Sequence, residues 1–282
     1  MKICKILLLF FLISSTLYSS DEIKVGILYG KIFTAKKEAK IGLELWKKQM
    51  KKKKYDYNVD LILYDNKEKL ISDYKSKRIH SIVFDTTSYY ENKKGIDNIN
   101  SDKWAISRNS SIFQQFYLVK NIESKTSLEK FKPKKIFYKE NMSRLWLESL
   151  FLKRNINIST KMYEKIEKSN KLVFNIFFNK NDVSLMTRDL YESMTELNPQ
   201  IKSKLKIIKK SRKIFFDAMV ISRKNINKNF KKTLNLIEKE VNTKKNAFEA
   251  LSFTNVQQIF PLKDVSLKEL DNFYKEYFLQ KN

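Results

Sequence analysis

Apolar and polar positions alternate along this chain with two periods, and the switches between them lay out its elements. Ile23 to Tyr29 (IKVGILY) is an apolar, β-branched run, which predicts a first strand ended by Gly30. Thr34 to Met50 has a helical pattern, with Ala39, Ile41, Leu43, Leu45 and Trp46 on its apolar side. Tyr57 to Tyr64 reads as a second strand, Asp65-Asn66 as a turn, Lys67 to Lys77 as a helix and His80 to Phe84 as a third strand. Strand, helix, strand, helix, strand predicts a parallel sheet with right-handed crossovers. Glu91 to Asp102 reads as a polar loop, Trp104 to Ile106 and Phe113 to Val119 as extended, and Ser127 to Phe131 as a short helix.

The alternation restarts at Lys135 to Tyr138, a strand that leads into a helix carrying Leu145, Trp146, Leu150 and Leu152. The stretch Ser169 to Pro199 is the most informative. Leu172, Val173, Ile176 and Phe177 fall on one helix face, and Asn179-Lys180-Asn181 is a stop, because Asn tolerates the left-handed conformation that ends helices. Asp182 to Met186 is short and mostly apolar, as a covered parallel strand should be. Thr187 then stands where that strand gives way to a helix, Arg188 to Thr195, as a helix cap or as a ligand contact. Asp85 to Tyr90 repeats this layout, with hydroxyls following a buried strand. Farther on, Leu205 to Ile208 and Ile214 to Ile221 read as strands, and 225–240, 246–251 and 266–279 as helices. Phe273, Tyr274, Tyr277 and Phe278 on the last are expected to be docking contacts.

The N-terminus changes the picture. Lys2 and Lys5 precede an unbroken apolar run, Ile6 to Ile13, followed by Ser14, Ser15, Ser19 and Ser20. This order predicts a secretory signal peptide over residues 1–20. The run is too short to span a bilayer, which takes about 20 apolar residues. Cys4 lies inside it, so the exported chain is expected to lack cysteine, which excludes disulfides and thiolate metal sites. The net charge of +26 favours anionic partners, but the lysines are spread over almost every segment. The densest run, Lys47-Lys48 with Lys51 to Lys54, fits a solvated helix end. Export and the absence of basic residues interleaved with stacking aromatics speak against nucleic acid.

Enzyme chemistry finds no foothold. His80 is the only histidine, so a nucleophilic triad would have to be built on a residue of a predicted strand. With four glycines there is no phosphate-cradling loop, and no metal-binding HExxH or cofactor motif is present. Ser143, at the start of the helix after Tyr138, is placed either to contact an anion or simply to cap.

IKVGILY, TSLEKFKPKKIFY (Thr126 to Tyr138), Asn179 to Tyr191, LNPQIKSKLKIIKKS (Leu197 to Ser211) and FFDAMVISRKN (Phe215 to Asn225) together resemble type 2 periplasmic solute-binding proteins, in the phosphonate/phosphate-type branch of ABC-transporter binding proteins. The start also weakly resembles the type 1 branch, through Gly42 and the strand VDLILYD. The type 2 resemblance implies an α/β fold of two lobes, each a mostly parallel sheet flanked by helices, joined by two crossing strands. Lobe 1 would be discontinuous (21–114 and 215–282) and lobe 2 would be 115–214. By the same resemblance Tyr29, Thr86, Thr87, Tyr89, Ser143, Arg144 and Thr187 would line the ligand cleft. Where the family has glycine before each strand, this chain has Lys77 and Asn179. Arg144 would either hold an anion in two-point contact or obstruct the helix start.

The implied function is that of a monomeric, exported protein that captures a small anionic solute and presents it to an ABC permease, without metal or cofactor and without stable membrane insertion. The same fold could serve a sensor kinase, and a basic surface that binds acidic polymers or lipid headgroups is the alternative outside the family.

Overall fold

The computed structural model describes residues 22–28, 36–53, 55, 58–99, 101–108, 111–216, 218–224, 226, 228–244, 247–254, 256–262 and 267–281. The predicted signal peptide, Tyr29 and Gly30 lie outside them.

The elements follow the expected alternation. β1 (Glu22–Leu28), α1 (Lys36–Lys53), β2 (Asn58–Tyr64), α2 (Lys67–Lys75) and β3 (Ser81–Asp85) come first. Next are α3 (Thr86–Glu91), α4 (Lys93–Asp97), β4 (Ser101–Arg108) and β5 (Phe116–Asn121). β6 (Ile136–Tyr138), α5 (Asn141–Leu152), β7 (Tyr163–Lys165), α6 (Ser169–Phe178), β8 (Val183–Thr187), α7 (Arg188–Leu197), α8 (Pro199–Lys204) and β9 (Leu205–Lys210) follow. β10 (Ala218–Arg223), α9 (Lys228–Thr243), a short 3-10 turn (Glu249–Thr254), β11 (Val256–Pro261) and α10 (Lys268–Lys281) complete the chain.

The strands form two mixed sheets, in the orders β11-β4-β10-β3-β1-β2 and β7-β6-β8-β5-β9. In the first, β1 runs parallel to β2 and β3, and β11 antiparallel to β4. In the second, β8 runs parallel to β6, while β5 is antiparallel to both β8 and β9. The chain divides into two compact units: one reaches to Val83 and includes Ser222–Thr254, and the other comprises Phe84–Ile221 and the segment after Thr254.

In the first unit, β1 is buried at Ile23, Val25, Ile27 and Leu28 with α2 packed on it, while α1 packs on β2. A Cβ added to Gly26 would stand 2.5 Å from Leu70 and 2.6 Å from Ile79, so the absent side chain sets how closely α2 lies on the strand. α2 ends in a Schellman motif: Lys77 N–H donates to Tyr74 O (3.3 Å) and Arg78 N–H to Asp73 O (2.9 Å). Lys77 takes the left-handed conformation this requires, with φ of 65°. Its counterpart Asn179 is extended instead (φ −110°): its N–H makes the last i to i−4 bond of α6, to Asn175 O, and its side-chain amide donates to the same oxygen at 2.9 Å.

In the second unit, Leu172, Val173 and Ile176 of α6 pack with Tyr117, Val119, Phe137 and Met186 of the sheet. Three expectations are corrected. The stretch 91–102, expected as a polar loop, contains the helix Lys93–Asp97 with Ile96 buried, and Thr86–Glu91 before it is helical because its buried side chains outweigh weak helix propensity. Ser127 to Phe131 forms no helix. Ile41 is 43% exposed, since α1 buries the row Ala39, Gly42, Trp46 and Met50 instead. Both sheets are mixed, through β11 antiparallel to β4 in the first and β5 antiparallel to β8 and β9 in the second.

Candidate functional site

Each predicted site residue inside the described set belongs to the second unit, at a point where a strand hands over to a helix. Asp85 caps α3, its Oδ1 accepting the Ser88 N–H (3.0 Å) and its Oδ2 the Ser88 hydroxyl (2.6 Å). Thr187 caps α7 in the same manner, accepting the Leu190 N–H at 3.3 Å. The two handovers share one geometry, as their sequences suggested. The cap before α5 is Glu140, not Ser143. Ser143 sits inside the first turn, fully buried, and donates to Glu140 O at 2.7 Å.

The α3 hydroxyls are buried and engaged. Thr86 donates to Phe216 O (2.9 Å), and Thr87 Oγ1 lies 3.4 Å from the hydroxyl of Tyr274 on α10. Tyr89 donates to Asp97 (3.0 Å) and accepts from the Lys93 ammonium (3.1 Å). Burial first, with Asp97 adding to it, pushes the Tyr89 phenol up to about 12 against the pull of Lys93. Burial alone would raise the Asp97 carboxyl, but Lys103 and Lys93, each 3.0 Å away, outweigh it and hold it low. Lys93 also lies 3.4 Å from Asp271 of α10, so the cluster pairs two cations with two part-exposed carboxylates.

α3 and α10 both pack on α5, and this is where Arg144 lies. Its Nε donates to Glu148 Oε1 at 2.6 Å, one turn along the helix, while Tyr277 of α10 donates to Glu148 Oε2 at 2.6 Å. The guanidinium stands 4.7 Å over the Tyr163 ring and 5.7 Å from the Tyr138 ring. Burial weakens the charged form of Arg144, yet Glu148 and Tyr138 more than restore it, so its pKa rises. Burial, reinforced by Glu148, raises the Tyr277 phenol.

A cavity of about 170 Å³ opens beside this pair, lined by Arg144, Glu148, Tyr277, Asn157 and Thr160 together with Phe151, Leu152, Ile156 and Ile158. Asn155, left-handed with φ of 55°, turns the chain after α5 so that Ile156 to Ile158 can form its wall. The cavity thus combines apolar and polar lining, as small-molecule sites do, but is smaller than the roughly 300–1,000 Å³ usual for them.

Of the predicted residues, Arg144 lines this cavity. Thr86, Thr87 and Tyr89 share α3, Ser143 joins Arg144 on α5, and Thr187 stands apart at the end of β8. Sequence reasoning missed Glu148 and Tyr277. The i, i+4 spacing from Arg144 could have pointed to Glu148, whereas the approach of Tyr277, 129 positions away, is purely tertiary. Among the described residues, no cluster of His, Cys, Asp and Glu could hold a metal ion, and no helix is long and apolar enough to cross a membrane.

No family model matches the sequence, and no curated protein matches it significantly. Solved structures do. A binding protein component of an ABC phosphonate transporter from Pseudomonas aeruginosa aligns with a TM-score of 0.60 at 16% identity, covering 93% of this chain and 89% of that one. PhnD1 from Prochlorococcus marinus, in complex with methylphosphonate, gives 0.59 at 16% identity over 92% and 98%. The XAC2383 protein of Xanthomonas citri, bound to chloride, gives 0.65 at 13% identity over 93% and 99%. At these identities the likeness speaks for architecture: the chain has the α/β fold, two mixed sheets flanked by helices, of these solved transporter binding proteins.

Proposed function

We propose that this chain is an exported solute-binding protein that captures a small anionic solute of phosphate or phosphonate type and delivers it to an ABC permease. The observation that carries this reading is the likeness to two phosphonate-transporter binding proteins along nine-tenths of the chain. Arg144 supports the anionic character of the solute. Its cation lines the cavity, and its bond to Glu148 is one that an oxyanion could compete for. Binding would then weaken the Arg144–Glu148 pair while Tyr277 keeps its hold on Glu148. The proposed lobe boundaries, 21–114 with 215–282 and 115–214, are supported by the second sheet, whose five strands all fall between Phe116 and Lys210.

The test is thermal and calorimetric titration of the purified chain with methylphosphonate, inorganic phosphate and sulfate. A ligand present at a hundredfold its Kd stabilises the bound form by about 2.7 kcal/mol. At least one oxyanion should raise the melting temperature, and Arg144→Gln should abolish the rise. No response to any of the three, or an unchanged response in Arg144→Gln, would overturn the reading.

A further inference from the structure

Two helices of the first unit share one design. α1 buries Ala39, Gly42, Trp46 and Met50, and α9 buries Phe230, Thr233, Ile237 and Val241, each row spaced i, i+3, i+7, i+11. The faces turned away from these rows are lysine-rich. At roughly 100° per residue, Lys228, Lys232 and Lys239 fall within about 40° of one another and nearly opposite Ile237. All three are exposed, as is Lys231 beside them. A groove of about 450 Å³ runs along this face, and its lining includes these four lysines, Asn235 and Leu236. On α1, the exposed positions include Lys40, Lys47, Lys48, Lys51 and Lys52. Glu44 lies among them, 3.9 Å from Lys47. Lys53 bonds Glu240 and so ties α1 to α9.

We propose that the lysine rows of α1 and α9 are a contact surface for anionic lipid bilayers. Charge complementarity is the first argument, because clustered lysines near an acidic membrane surface each add favourable interaction. The exposed apolar residues are the second. Ile41 (43% exposed) and Leu236 (38% exposed) stand among the lysines. Aliphatic side chains beside lysine suit the headgroup boundary, where lysine stems can lie along apolar surface with their ammonium groups in water. A nucleic-acid surface would call for stacking aromatics in these places, and the exposed residues of both rows include none. The proposal is independent of solute binding at Arg144, which lies in the other unit.

Co-sedimentation of the full chain with two kinds of vesicle tests it, phosphatidylcholine alone and an equal mixture with phosphatidylglycerol. The first twenty residues are common to every variant, so differences between variants report the lysine rows. The wild type should sediment with the anionic vesicles and release as salt rises. Replacing Lys228, Lys231, Lys232 and Lys239 with Gln, which has similar helix propensity, should lower partitioning by a factor of about ten or more. Leu236→Asn should lower partitioning to vesicles while leaving association with a single-stranded oligonucleotide unchanged. Circular dichroism confirms that each variant is folded. Equal binding to both vesicle types, or a quadruple variant that partitions like the wild type, overturns the proposal. So does a wild type that prefers the oligonucleotide to anionic vesicles.

Discussion

The bond from Tyr277 to Glu148 makes a quantitative prediction about how α10 is held on α5. Tyr277 is 1% exposed, and its hydroxyl meets a carboxylate oxygen at 2.6 Å. A hydrogen bond to a charged group contributes about 1.5–3 kcal/mol. The Glu148 side chain is 17% exposed at the cavity wall and keeps its ion pair with Arg144, so water can partly replace the lost donor. Tyr277→Phe should therefore fall in the lower half of that range, at about 1.5–2 kcal/mol. Glu148→Gln retains an acceptor for both partners but removes the charge. A double-mutant cycle by urea unfolding cancels the other contacts of both side chains and should leave a coupling of about 1 kcal/mol. A Tyr277→Phe variant within about 0.5 kcal/mol of wild type, or fully additive variants, would refute this reasoning.

Two further predictions follow from single positions in the first unit. His80 Nδ1 accepts the Lys24 N–H at 2.9 Å and its ring meets Phe230 edge-on, so the fold requires neutral imidazole. Burial, then Lys24 and Arg223, lowers its pKa below the ordinary 6.5. Its stabilising contribution is thus complete above about pH 6.5 and declines as acid carries the pH down toward the lower folded value. His80→Asn should flatten that decline in urea titrations, and an imidazole pKa above 6.5 by NMR would contradict the account. Lys77 holds a left-handed conformation that costs a non-glycine residue roughly 1–2 kcal/mol. Lys77→Gly should raise the unfolding midpoint, and a lowered midpoint would show that its side chain contributes more than the strain costs.

Much of the architecture was legible because it is local. The β-branched runs at Ile23, Val59 and Val183, and the caps at Asp85 and Thr187, declare themselves within a few residues. What stayed hidden depends on distant partners. Thr86-Thr87-Ser88 has poor helix propensity, and it is helical because Phe216 and Tyr274 bury it. β7 is three residues, Tyr163–Lys165, paired with β6 and too short for any periodicity. The direction of β5 cannot be read from its own side chains, since a strand covered on both faces looks alike in either orientation. At the candidate site Arg144 was visible as a cation at a helix start, whereas the hydroxyls around it gave no sign that their partners lie within the protein.

The last helix has a consequence for how the molecule comes into being. Tyr274 stacks on Tyr90 at 3.8 Å, Phe273 packs edge-on against Phe215, and Tyr277 bonds Glu148. These contacts reach back between 58 and 184 positions, to segments that leave the ribosome far earlier. Until residues 268–281 emerge, those segments have apolar surface with nothing to rest on, so the nascent chain cannot settle its middle before its end. A chain wired in this order completes its middle only once residues 268–281 have been made, a delay that would suit the export proposed for it.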